Sequence, residues 1–194
     1  LAPQLTRHTG GNPLYALETL KQGLASGLLA QGRLPTPVNV GALIERRLKQ
    51  LSERALALAR VAAIAGVDFS IALAEHVMGV RAVELADAWS ELEAAQVLRG
   101  DAFAHDLVHD AVLRSVPEAI ARHLHAQLAQ WLVEHKGESA RIASHWEAAR
   151  EDRLAADAWT EAARSADARL RYRESQACFE HAARLYASLG DRQS

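Results

Sequence analysis

The chain is poor in the residues on which covalent, redox and membrane chemistry depend. Its 194 residues include one cysteine, Cys178, which cannot form an internal disulfide and is typical of a protein in a reducing cytoplasm. Cys178 lies mid-helix beside Phe179 and is predicted to be a buried apolar residue rather than a nucleophile. The longest apolar run, Ala55 to Val67, contains Arg60 and is too short to span a bilayer. We therefore expect a cytoplasmic protein with no membrane partner.

An excess of charge of either sign is also missing. The 22 basic and 24 acidic residues give a formal net charge of −2, which provides no general attraction to nucleic acid or anionic membranes. The sequence has no Gly-x-x-x-x-Gly-Lys-Ser/Thr phosphate loop and no Gly-x-Ser-x-Gly nucleophile elbow. The residues therefore predict no catalytic site and no bound cofactor in this chain.

What the chain has in abundance is alanine, with almost no β-branched runs, and this composition predicts a mostly helical protein. Apolar spacing and capping residues predict ten helices. They fall at about residues 13–31, 38–51, 53–65, 70–77, 81–95, 105–114, 118–137, 139–150, 152–170 and 173–189. The helix at 53–65 is apolar nearly all round, so we expect it to be central and buried.

One segment breaks the helical pattern. Val97 to Phe103 is a two-strand candidate around a Gly100-Asp101 turn. Three helices followed by a hairpin and a further helix is the order of a winged-helix domain. After Pro117 only helical pairs are predicted.

A weak repeat runs through the second half of the chain. Ala148-Ala149-Arg150 recurs as Ala182-Ala183-Arg184, and the offset between the two copies equals the tetratricopeptide period. The spacing of Trp159, Tyr172, Ser175, Phe179 and Ala182 fits that repeat, whereas Ala162, Ala163 and Ala166 replace its usual Leu, Gly and Tyr. The predicted fold class is all-α with one small β-hairpin, in which a winged-helix-like domain precedes αα-hairpin, tetratricopeptide-like repeats. We predict a lid-type helix and linker over residues 1–35, the winged-helix-like domain over 36–116 and the repeats over 117–194.

Three stretches, in order, resemble the region that follows the nucleotide-binding core of STAND-type regulatory ATPases, such as the large ATP-binding LuxR-type bacterial transcriptional regulators. Residues 9–15, Thr-Gly-Gly-Asn-Pro-Leu-Tyr, are similar to the "GGNPLF" start of the helical lid. Residues 51–69 are similar to the "LS…LELAAVLGREF" helix of the winged-helix domain. Residues 103–117 are similar to the "FRHALVREALYESLP" junction into the helical repeats.

The resemblance implies a regulatory middle region made of lid helix, winged helix and sensor repeats. Separately, the chain starts at Leu1 without a methionine, from which we expect it to be a piece cut from a longer protein. Its implied partners are its own upstream ATPase domain and a protein or small-molecule effector bound to the repeats. Asn12 and Pro13 would lie near ATP or ADP in the intact parent only. From the residues alone, Asn12 is an N-cap and Pro13 a first helical residue, which needs no ligand.

The pairs His105-Asp106 and His109-Asp110 invite a metal-site reading, because histidines four residues apart share one helix face and can chelate zinc. No third ligand stands at a recognisable spacing, since His123 and His125 lie beyond Pro117. We therefore predict no metal and assign His105, His109, Val112 and Pro117 to a packed domain junction, with a hinge near residues 115–117.

Two surfaces remain to be assigned. Arg169, Arg171 and Arg173 form a basic patch that we predict to bind a partner. The candidate recognition helix at 81–95 is net acidic, which predicts no direct DNA binding. The leading functional hypothesis is a signal-sensing fragment of a transcriptional regulator. A stand-alone helical-repeat scaffold and a metal-dependent hydrolase using His105, Asp106, His109 and Asp110 are the alternatives.

Overall fold

A computed structural model describes residues 13–31 and 40–191. These residues are mostly helical and contain one two-stranded antiparallel sheet, so the coarse fold class predicted from the sequence is confirmed. No helix in the described ranges combines the length and the apolar character needed to cross a bilayer.

The described helices and strands follow the predicted order. They are α1 Pro13–Ala25, α2 Val40–Lys49, α3 Glu53–Ala65, α4 Ile71–Met78, α5 Ala82–Ala94, β1 Leu98–Arg99, β2 Ala102–Phe103, α6 Asp106–Arg114, α7 Glu118–Glu134, α8 Ser139–Ala148, α9 Asp152–Ala168 and α10 Tyr172–Asp191. Short 3₁₀ turns at Leu29–Gln31 and Gly66–Asp68 follow α1 and α3.

The chain divides into two compact units after Leu51. In the first unit, Gly23 of α1 lies where a Cβ would come within 2.7 Å of Leu29 Cγ. Only glycine therefore lets the 3₁₀ turn fold back onto α1 without a shift. The second unit holds everything from Ser52 onward, including both sides of the predicted boundary between residues 116 and 117. The three-domain division stays a prediction.

Helix α3 is the centre of the second unit, as its sequence predicted. Helices α4, α5, α6 and α7 all pack against it. Leu58 and Ala59 are fully buried, and eight of the helix's thirteen residues are buried in total. Ser52 caps the helix by accepting a hydrogen bond from the Ala55 amide, and Glu91 of α5 accepts hydrogen bonds from the Ser52 amide and hydroxyl.

Five helices end in the same way. A residue with positive φ follows the helix, and the next amide donates a hydrogen bond to the carbonyl five residues back, which is the Schellman arrangement. The positive-φ residues are Gly79, Gln96, Lys136, Arg150 and Leu170, and the returning amides belong to Val80, Val97, Gly137, Glu151 and Arg171. Four of the five are not glycine, so the chain holds ordinary side chains in a conformation that favours glycine.

The last four helices form two helical hairpins, α7–α8 and α9–α10, with a common register. Helices α7 and α9 each have 17 residues, and their first residues, Glu118 and Asp152, are separated by the same offset as the two Ala-Ala-Arg copies. The turns that follow them bend at Lys136 and Leu170. Equivalent inward positions are buried in both copies: Leu128, Ala129 and Leu132 in α7, and Ala162, Ala163 and Ala166 in α9.

The repeated Ala-Ala-Arg tripeptide does not have one structure. Its first copy ends α8, with Arg150 at φ 66°, whereas its second copy lies inside the 20-residue helix α10. The residues that follow account for the difference. Leu185 packs on a core cluster that includes Trp146, and the Tyr186 hydroxyl donates to Asp157 of α9, so α10 continues where α8 stops.

Replacing Leu170 with glycine should stabilise the protein. Leu170 has φ 60° and its side chain is 71% exposed, so the change relieves backbone strain with little loss of packing. We expect a gain of about 0.5–1 kcal/mol in the free energy of unfolding, measured by urea denaturation.

The matched control is Ala168→Gly at the last residue of α9, which should give no gain because Ala168 already has a helical conformation and glycine adds freedom to the unfolded chain. A loss of stability in Leu170→Gly would contradict the strained turn.

Candidate functional site

A buried polar cluster joins the end of α3 to the first helical hairpin. Asp68 lies in the 3₁₀ turn that follows α3, His125 lies on α7, and Arg141 and His145 lie on α8. The Asp68 side chain is only 7% exposed and His145 is 9% exposed. Charged and titratable groups buried to this extent need partners, and these four provide them for one another.

The distances form a continuous chain. Arg141 Nη1 donates to Asp68 Oδ1 at 2.6 Å, and Asp68 Oδ2 lies 3.8 Å from His145 Nε2. His145 Nδ1 lies 2.8 Å from His125 Nδ1, which is a hydrogen-bond distance. Arg141 Nε lies 3.3 Å from Glu138 Oε2 but has no hydrogen-bond partner in proper geometry. The contact between the two histidines requires that one Nδ1 carries a proton and the other does not.

Burial keeps the two imidazoles of this cluster from gaining protons. Desolvation, reinforced by His145, lowers the pKa of His125 from 6.5 to about 4. Desolvation and then the Arg141 guanidinium lower the pKa of His145. Burial raises the pKa of Asp68, although the adjacent Arg141 acts in the opposite direction. Both imidazoles are therefore neutral at pH 7.

Sequence reasoning missed the histidine pair, although a signal for it exists. One repeat period after His125 and His145 stand Trp159 and Phe179, two of the large residues that fit the tetratricopeptide spacing. The rings of the two histidines lie 5.1 Å apart between centroids, as aromatic side chains at packed positions do. Imidazoles thus occupy positions of the first hairpin that hold an indole and a phenyl ring in the second.

A cleft of about 590 Å³ opens beside His125. All four hairpin helices line it, with apolar surface from Ala121, Ala148 and Trp159 and with Arg122 and Arg150 among its charged residues. On its far side the Trp159 indole donates to Glu147 at 2.9 Å and stacks on His181 at 4.6 Å between ring centroids. This volume is within the usual range for small-molecule sites.

The histidines on which the sequence analysis concentrated have structural hydrogen bonds. His105 is the N-cap of α6 and its Nδ1 accepts from the Leu107 amide. His109 Nε2 lies 3.1 Å from the Ala63 carbonyl oxygen of α3, and its ring meets Phe103 edge-on. In the part of the chain that the structure describes, no three histidine, cysteine, aspartate or glutamate side chains are arranged so that they could hold a metal ion.

The predicted junction is closely packed. Val112 is fully buried, and helix α6 packs against α3. At the end of α6, Arg60 donates from Nη2 to the Ser115 carbonyl and from Nε to the Ser115 hydroxyl. Pro117 is the N-cap residue of α7. These contacts attach the predicted hinge segment to the central helix. Hinge motion there stays a prediction.

Three of the four acidic residues of α5 bind parts of their own unit. Glu84 pairs with Arg81, Glu91 accepts from Ser52, and Glu93 accepts from the Gly100 amide of the hairpin turn. The helix proposed for recognition therefore directs three carboxylates into structural hydrogen bonds and ion pairs.

The predicted arginine patch is only partly brought together. Arg169 and Arg171 line a second cleft of about 420 Å³ with Lys136, and Arg171 forms an ion pair with Glu174 at 2.8 Å. Arg173 is exposed but is not part of that cleft. Asn12 lies outside the described residues, and Pro13 is the first residue of α1.

Replacing Val112 with aspartate should unfold or strongly destabilise the protein. The change places an unpaired charge at a fully buried position between α6 and α3. We expect a loss of about 3 kcal/mol or more in the free energy of unfolding, measured by denaturant titration.

The same substitution at Val83, which is 70% exposed in the first turn of α5, is the control and should be nearly neutral. Equal stability of Val112→Asp and the parent would show that the junction is not packed as described.

The histidine pair should make the fold sensitive to acid. The pKa of His125 is lower in the folded protein than in the unfolded chain, so the unfolded chain takes up the proton first as the pH falls. The contribution of His125 to the free energy of unfolding is therefore fully present above pH 6.5 and is lost as the pH falls towards 4. Between pH 7.5 and pH 5 we expect a loss of about 1–2 kcal/mol from His125, measured by thermal or urea denaturation. The raised pKa of Asp68, caused by burial, acts in the opposite direction.

The matched variant carries the residues of the second hairpin, His125→Trp with His145→Phe. Its loss of stability between pH 7.5 and pH 5 should be clearly smaller. The same pH dependence in both proteins would exclude the pair as its source.

Comparison with known proteins identifies no relative of this chain. No family model matches the chain, and no curated protein or solved structure is significantly similar to it.

Proposed function

We propose that this chain is the regulatory region of a STAND-type bacterial ATPase, in which effector binding to the helical hairpins changes the state of an ATPase domain by domain rearrangement. Helices α3 to α6 with the β1–β2 hairpin, called the body below, would be a winged-helix-like packing domain. The helical hairpins would be the sensor, and no chemistry would occur in this chain. The switch would be a shift in the populations of two arrangements.

One observation carries the proposal: α7 belongs to both parts. It packs on α3 and α4 of the body and also pairs with α8 in the first hairpin. Arg141 and His145 of α8 then return to Asp68 at the end of α3. A displacement of the hairpins would therefore strain the partly buried ion pair between Arg141 and Asp68, and ion-pair networks with two discrete arrangements are one means of coupling distant sites.

Other features support the two finer assignments. Helices α3, α4 and α5 followed by the β1–β2 hairpin have the element order of a winged helix. The offset between the hairpins, equal to the repeat period, and their shared buried positions support a tetratricopeptide-like array. The carboxylates of α5 support a winged helix that packs on its neighbours rather than on phosphates.

A stand-alone interaction scaffold is the second candidate. The two clefts between the hairpins favour it, because stacked helix pairs bind partners along such grooves without any nucleotide. The two candidates differ in whether the full-length gene product binds ATP.

The decisive experiment uses the full-length gene product. ATP binding and hydrolysis are measured in the parent protein and in the variant Arg141→Ala, which removes the 2.6 Å contact with Asp68. Because coupling energies between sites are typically about 1–3 kcal/mol, we expect the nucleotide affinity or the hydrolysis rate to change roughly fivefold or more.

The control is Arg164→Ala, which removes an exposed ion pair within α9 at 3.7 Å and should leave both quantities unchanged. A full-length protein that binds no ATP would exclude the ATPase proposal and favour the scaffold. Equal effects of the two substitutions would exclude the Asp68 cluster as the coupling element.

A further inference from the structure

The outer nitrogen of His125 faces open space. Its Nδ1 is engaged with His145, and within the described residues its Nε2 has no hydrogen-bond partner. Among those residues, Arg141 Nε is the one fully buried side-chain nitrogen or oxygen that lacks a partner, so Nε2 of His125 is in reach of solvent. His125 also lines the cleft of about 590 Å³, which makes this nitrogen a polar anchor for whatever enters.

Asp68 determines the tautomer of His125 through His145, which lies between them. The carboxylate oxygen that lies 3.8 Å from His145 Nε2 favours a proton on that nitrogen. A neutral imidazole has one proton, so His145 Nδ1 then accepts, and His125 Nδ1 must donate across the 2.8 Å contact. His125 Nε2 is left with a lone pair. The side of His125 that faces open space is therefore a hydrogen-bond acceptor.

The other residues of the cleft restrict which kind of hydrogen-bond donor can bind to this lone pair. The Ala121 and Ala148 side chains and the Trp159 ring provide apolar surface for a flat hydrocarbon body. Two arginines, Arg122 and Arg150, and two glutamates, Glu118 and Glu147, line the cleft, so their charges balance and favour an uncharged group over an ammonium or a carboxylate. An uncharged hydroxyl satisfies both conditions.

We propose that the cleft between the helical hairpins binds a small planar aromatic ligand through an uncharged hydroxyl group that donates to His125 Nε2. The proposal rests on the proposed function, because it names the class of effector that the hairpins would sense. Ligand binding would hold the proton of His125 on Nδ1. His145 would then keep its own proton on Nε2, which faces Asp68. Occupation of the cleft would in this way be coupled to the position of the His145 proton beside the end of α3.

The first test measures the tautomer directly in the 194-residue chain without ligand. Two-bond proton–nitrogen correlations of ¹⁵N-labelled histidine distinguish a proton on Nδ1 from one on Nε2. At pH 7.5 we expect His125 to carry its proton on Nδ1 and His145 on Nε2. A proton on Nε2 of His125 would overturn the proposal, and no variant has to fold for this result to count.

The second test compares two probes with the same ethylphenyl body, 4-ethylphenol and 4-ethylanisole, in which a methyl group replaces the hydroxyl proton. Chemical shift changes at Trp159 and His181 report binding in the cleft. Because one hydrogen bond is at stake, we expect the phenol to bind roughly tenfold more tightly than the ether. In His125→Phe the two probes should bind equally.

Each outcome bears on a separate claim. Equal binding of the two probes to the parent chain, or no binding of the phenol, would refute the ligand class. Preference for the phenol that survives in His125→Phe would refute the role of His125. These measurements involve no nucleotide, so their failure leaves the ATPase proposal intact, and an ATPase-negative full-length protein leaves the cleft chemistry intact.

Discussion

Burial of helix α3 on nearly every side is the constraint on which the second unit depends. Four helices pack against it, and none of them buries as many of its own residues. At about 25 cal/mol per Å² of apolar surface removed from water, such a helix dominates the local balance of stability. The two ends of α3 then position α5 and the first helical hairpin. Ser52 at its start holds Glu91 of α5, and the turn at its end presents Asp68 to the first hairpin.

The turns provide the second constraint. Helices α7 and α9 both end with a left-handed residue followed by a returning amide, so the turns of the two hairpins have the same hydrogen-bond pattern. This repetition of geometry does not need repetition of sequence. Lys136 and Leu170 occupy equivalent turns although they share no chemistry. Small buried residues such as Ala129 and Ala163 allow the helices to approach closely in both copies.

Local signals predicted the element order well, for identifiable reasons. Ser52 and Ser70 mark helix starts because their side chains accept from free amides, and the structure gives each of them that hydrogen bond. The fate of the second Ala-Ala-Arg could not be predicted in this way, since contacts of Leu185 and Tyr186 with other helices decide it. The histidine pair was missed for a related reason. His125 and His145 lie on different helices and meet only when the hairpin closes, while Asp68 comes from a distant turn.

The left-handed turn residues bear on the clefts as well as on the fold. Lys136 reaches the smaller cleft and Arg150 the larger one, so two of the strained backbone positions hold cations at the edges of possible binding surfaces. An L-residue in this conformation costs about 1 kcal/mol that glycine would avoid. Backbone strain in proteins is concentrated at functional sites, where the strained residue is kept for its side chain. Glycine at either turn would relieve the backbone and at the same moment remove a positive charge from a cleft, which sets stability and recognition against each other at these two residues.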